Sequence, residues 1–148
     1  MKYSQASLGR VFVVRLEDGD IVHECLERLA REQGLRAAGL IALGDADAGS
    51  RLIAGTEAGR ADPLVFVERV LEEAHEIAGV GTIFPDEDGN PVSHVHLACG
   101  RRDSLTVGCA RTGVKVWHVM EVIVVELLDC SAVRRFESGL PGFKLLNP

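Results

Sequence analysis

Four familiar signatures are missing from this chain of 148 residues. Its four cysteines, Cys25, Cys99, Cys109 and Cys130, form no C-x-x-C pair, which excludes a zinc ribbon and a thioredoxin-type motif. Small core thiols in a reducing compartment are the expectation for them. No apolar run approaches the roughly 18 residues that a membrane-spanning helix needs. The opening MKYSQASLGR has no apolar h-region, so no secretory signal is read there and a cytoplasmic location is expected. There is no excess of basic charge. The formal net charge is −6, which argues against tight non-specific binding to nucleic acid. Arg101-Arg102, Arg111 with Lys115, and Arg134-Arg135 are the only candidate basic patches, and such pairs are expected to be solvated turns. The chain also lacks G-x-S-x-G, a P-loop, a dinucleotide fingerprint, H-E-x-x-H, internal repeats and any linker.

What is present reads as one α/β (α+β) domain over residues 1–148, dominated by an antiparallel sheet with one main helix. Hydrophobic residues make up 47% of the chain, enough for a packed core. Arg10–Leu16 reads as a strand. Ile21, Val22, Cys25, Leu26, Leu29 and Ala30 make one helical stripe, with Asp20 placed to cap its start and Gly34 its end. Glu24–Arg28 and Glu27–Arg31 have the i,i+4 spacing of ion pairs on the wet face, with an exposed His23 among them. Strands are expected at Ala37–Leu43, Arg51–Ala54, Ala74–Phe84, Pro91–Gly100, Leu105–Ala110 and Val114–Leu128. Thr56–Pro63 and Pro85–Pro91 read as a loop and a turn, Leu64–Glu73 is ambiguous, and the tail SGLPGFKLLNP is expected to be irregular.

The chemistry concentrates in PVSHVHLACG, Pro91–Gly100. Alternation along a strand puts His94 and His96 on one face and Val95, Leu97 and Cys99 on the other. If the hairpin that follows pairs Gly100 with Leu105, then His96 faces Cys109, with Cβ atoms about 5 Å apart. Imidazole nitrogen and thiolate sulfur suit zinc, and three protein ligands leave a fourth position open. A slip of one residue would turn Cys109 away. Spacing alone leaves a metal pair and two buried or hydrogen-bonded histidines equally open. His75 precedes Glu76 on a neighbouring strand. His118 alternates with Val116 and Met120 and reads as a core residue. Glu76 and Glu121 are carboxylates within apolar strands, suited to orienting a ligand histidine or acting as a base on bound water.

HEIAGVGTI, a turn with DGNP, HVHLACGR, TVGCARTGVKVW and EVIVVEL together resemble the plant-and-prokaryote conserved (PPC/PCC) domain, which follows AT-hooks in plant nuclear proteins and stands alone in prokaryotes. The resemblance runs from RVFVVRLEDGD to EVIVVEL and includes Gly39–Gly44. It implies a compact domain with a mostly antiparallel sheet, commonly trimeric. It also implies metal ligation by the H-x-H pair, here His94 and His96, and by a following Gly-His step, here Gly108-Cys109. His75 stands where many relatives carry an aromatic residue, which would make it an added ligand in this branch. The family's DNA-binding description comes largely from AT-hook members, and this chain has no Arg-Gly-Arg-Pro hook. Three readings follow: a homotrimeric metal-binding domain holding zinc or a similar ion; a metal-dependent enzyme with Glu76 or Glu121 as base; and a DNA-associated regulatory module.

Overall fold

In the computed structural model, residues 1–59, 63–137 and 144–148 are described. Glycine-terminated turns and long runs rich in Val and Ile fold into ten strands and one helix among these residues. The elements are β1 (Ser7–Glu17), α1 (Val22–Gln33), β2 (Ala38–Ala46), β3 (Arg51–Thr56), β4 (Phe66–Val70), β5 (His75–Pro85), β6 (Pro91–Arg101), β7 (Ser104–Cys109), β8 (Val116–Leu128), β9 (Val133–Phe136) and β10 (Lys144–Asn147). Eight strands form one sheet in the order β1-β8-β2-β5-β6-β7-β3-β4, and β9 and β10 form a separate ladder. Every ladder is antiparallel. The chain is thus a single compact domain of the expected class.

The two sheet faces differ sharply. Leu16, Leu40, Ala42, Ile77, Leu97, Cys99, Met120, Val122 and Val124 join Val22, Leu26 and Ala30 of α1 in the main core. The opposite face carries a row that crosses six strands by register: Val13, Ile123, Ile41, Val80, His96 and Cys109. Val13, Ile41 and Val80 in that row are exposed. At the end of this face near Thr82 and Phe84, the C-terminal ladder packs down: Arg134 forms a backbone bridge with Asp86 and donates from Nη2 to Thr82 Oγ1 at 2.9 Å.

The helix starts differently from the expectation. Ile21 occupies the N-cap with no side-chain cap bond. Asp20 is turned back instead, its Oδ2 accepting from the Glu17 N–H at 2.9 Å. Gly34 ends the helix at φ 62°, as its left-handed conformation requires. Glu27 bonds Ser93 rather than Arg31, accepting from its N–H and its Oγ, both at 3.0 Å. That contact ties α1 to the histidine strand. His23 is half-buried rather than exposed, and its Nδ1 is buried without a partner among the described residues. Leu64–Glu73 resolves into β4, and the tail is not wholly irregular, since Lys144–Asn147 pairs with Val133–Phe136. The remainder of the expected tail, 138–143, and part of the expected loop, 60–62, lie outside the described residues.

His118 is not a core residue. Its backbone sits at φ 59°, its N–H donates to Asp18 Oδ1 at 2.7 Å, and its ring is exposed beside Trp117. The left-handed residue breaks the alternation of β8, and the β2–β8 register shifts between Gly44 and Ala46. Gly44 is needed at this bulge. Its φ is 139°, and a Cβ there would collide with the Val119 carbonyl oxygen.

Candidate metal centre

Two hairpins assemble the site. The turn after β5 pairs Thr82 with His94 and Val80 with His96. The turn after β6 is tighter than a four-residue loop: Arg101 pairs with Ser104, leaving Arg102 (φ 53°) and Asp103 at its tip. The ladder nevertheless has the counted register, with Gly100 opposite Leu105, Ala98 opposite Val107 and His96 opposite Cys109. Cys109 also pairs with Ile53 of β3, which leaves it 5% exposed.

One ligand atom each from His94, His96 and Cys109 lies within 4.8 Å of the others. His94 Nε2 and His96 Nε2 are 3.1 Å apart. A tetrahedral zinc ion with Zn–N bonds of about 2.05 Å would set its two nitrogens roughly 3.3 Å apart. The pair is therefore close to the spacing a single ion needs, and the nitrogen and sulfur donors fit zinc. The His94 pKa is lowered to about 4 by burial, with the positive charges of Arg134 and Arg111 and then His96 adding to the effect. His94 is thus neutral at pH 7, the form that ligates. Arg111 Nε donates to Cys109 Sγ at 3.2 Å.

The nearer cysteine takes no part. Cys99 lies on the core face, fully buried, and burial pushes its thiol up to about 11. His75 is not brought to the group either. It lies on the core-facing side of β5, five positions from the Val80 that pairs with His96, or roughly 17 Å along the strand. Its Nδ1 is 2.7 Å from the Glu73 carbonyl oxygen. Glu76 shares the face of the histidines but stands four positions from Val80, about 13 Å away. Glu121 pairs with Leu43 on β8, three strand spacings from β6, or roughly 14 Å.

The residue missed in the sequence is Arg134. It reads there as half of a solvated basic pair, yet it is 7% exposed and lines one cleft with His94, on which its charge acts. Burial, and then the charge of Arg111, lower its pKa. Alternation within VRRF was the available signal, since it puts Arg134 and Arg135 on opposite faces of β9.

The fold recurs in known structures. A metal-containing protein from Archaeoglobus fulgidus superposes with a TM-score of 0.85 at 23% identity, covering 100% of both chains. A plant- and prokaryote-conserved protein from Pyrococcus horikoshii gives 0.85 at 19% identity, covering 100% of this chain and 98% of the other. A protein from Ralstonia eutropha, provisionally named as DNA-binding, gives 0.74 at 21% identity over 92% of this chain and 90% of its own. No curated protein matches the chain. The family model of the Plants and Prokaryotes Conserved (PCC) domain matches residues 3–128, from ahead of β1 to the last residue of β8, and the chain belongs to that family.

Proposed function

We propose that the protein is a homotrimeric metal-binding domain whose zinc or similar divalent transition ion is held by His94, His96 and Cys109. The observation that carries this reading is the convergence of two imidazoles and a thiol from two paired strands. The metal-containing relative from Archaeoglobus fulgidus supports it. Three protein ligands leave a fourth position for water or another donor. The group contains no carboxylate, and Glu76 and Glu121 stand well away from it, so the reading stops at binding rather than catalysis. Trimer formation is supported by the exposed apolar row on the sheet face. The relative named for DNA binding does not carry that role to this chain, whose net charge of −6 opposes contact with phosphates.

Metal analysis of protein purified without a histidine tag is expected to find about one ion per chain. His96→Ala and Cys109→Ser are each expected to release it while circular dichroism shows the fold retained. Absence of metal after loading with zinc, cobalt and nickel in turn would overturn the reading.

A further inference from the structure

A second feature lies beside the histidines, and the metal does not account for it. A cleft of about 390 Å³ opens between β6 and the C-terminal ladder, and Val92, His94, Arg111, Arg134, Phe136 and Lys144 contribute to its wall. That volume is within the range of small-molecule sites. The wall carries three cationic side chains and no carboxylate.

Arg134 is the unusual member. It is 93% removed from solvent, at 7% exposure, and its Nε is buried with no hydrogen-bond partner among the described residues. Among the described residues its guanidinium makes one hydrogen bond, from Nη2 to Thr82 Oγ1, although it offers five donors. The Phe84 ring, 5.8 Å from the guanidinium carbon, supplies only partial compensation. A buried charge without a counter-ion is costly to keep.

The acidic groups nearby are engaged elsewhere. Asp86, whose backbone bridges to that of Arg134, accepts from the N–H groups of Asp88 and Asn90 and pairs with Lys144 at 3.1 Å. Glu27 is held by Ser93. Arg111 has no carboxylate partner among the described residues, its Nε being directed to the Cys109 sulfur. Among the described residues neither guanidinium has a carboxylate partner, although the Cys109 sulfur, a thiolate when it holds a metal, interacts with both; they border one cleft, and Arg134 is desolvated in advance.

We propose that this cleft binds a small molecule through an oxyanion, a carboxylate or a phosphate, which Arg134 grips from its buried side and Arg111 from the rim. A planar guanidinium matches both groups in a two-point hydrogen-bonded pair. Phe136 and Val92 would cover the remainder of such a ligand with apolar surface. His94 is shared with the proposed metal site, but neither arginine is in the ligand group, so anion binding is expected without a metal.

The test is calorimetric titration of the full chain with inorganic phosphate and, separately, with succinate. Saturable binding of at least one is expected, and the tighter of the two identifies the oxyanion. Arg111→Gln, a change at an exposed position, is expected to weaken binding about tenfold or more. Arg134→Met should abolish it, and Arg134→Lys should restore part of it, which separates loss of charge from loss of fold. Arg102→Gln, at the far hairpin tip, should leave binding unchanged. His96→Ala should retain it, so that failure of the metal reading and failure of this one are distinguishable. The proposal is overturned if neither anion binds saturably, if binding survives both Arg111→Gln and Arg134→Met, or if His96→Ala removes it.

Discussion

Glu126 shows how a single buried carboxylate can make stability depend on pH. It is 6% exposed and faces the core side of β8. Arg10 meets it from β1, with Nε 2.7 Å from Oε2, Nη2 2.7 Å from Oε1, and the Arg10 N–H 3.1 Å from Oε2. These donors hold the Glu126 pKa down at about 2, the side-chain bonds of Arg10 contributing most. The folded value lies below the ordinary carboxylate value, so the stabilisation is full above about pH 4.5 and is lost as pH falls toward 2. Glu126→Gln is therefore expected to be less stable than the parent at pH 7, with the gap narrowing as the medium is acidified through that window. Urea unfolding at pH 7, 4 and 2.5 checks the sign. A gap that widens on acidification would contradict it.

At the scale of elements, β6, β7 and β3 make the site together, and Gly108 is where they meet most tightly. A Cβ at Gly108 would stand 2.8 Å from the Ile53 carbonyl oxygen and 3.0 Å from Leu52 Cβ. Backbone cannot yield as a flexible side chain would, so Gly108→Ala should push β3 off the edge of β7. A loss of about 1–3 kcal/mol is expected, the usual range for overpacking. Metal affinity should fall too, because Cys109 is the next residue, although both histidines are untouched. Chemical denaturation and cobalt titration of the same variant measure the two effects. Retention of full cobalt affinity would show that β3 does not position Cys109. The ladder itself was legible in the sequence: alternation and one hairpin count placed Cys109 opposite His96 and directed Cys99 to the core. That count succeeded because both strands are regular between the turn and the site. It failed wherever the backbone leaves the period of two. His118 is exposed because of a left-handed residue that composition does not announce. Asp20 is a good cap by type, but the tertiary contact between Val116 N–H and its carbonyl oxygen holds the preceding turn in another shape. Arg134 escaped because its burial depends on the C-terminal ladder folding across Thr82, a contact between residues 52 positions apart.

On the scale of the whole molecule, the face opposite α1 is the feature a lone chain leaves unresolved. Val13 is 83% exposed, Val80 64% and Ile41 56%, and their register aligns them across the middle of the sheet. Leu43 and Val107 add further exposed apolar surface in the adjoining row, which Glu121 and Arg15 enter only toward the β1 edge. Contiguous apolar surface of this kind is uncommon on a stable monomer. Closed symmetric assembly covers such a face, and in a three-fold ring each copy would do so by meeting its neighbour head to tail. The apolar face calls for self-association, and for the proposed trimer light scattering is expected to give three times the chain mass of 15.9 kDa. Val13→Glu combined with Ile41→Glu, both remote from the metal ligands, should dissociate the assembly, because two charges per chain would be buried without partners. The secondary structure should survive, since both side chains point away from the main core. The metal provides an internal control on this result. His94, His96 and Cys109 all come from one chain, so the dissociated variant should still take up zinc. Loss of zinc on dissociation would mean that a neighbouring copy completes the coordination, and a stable monomer of the parent chain would rule out the trimer.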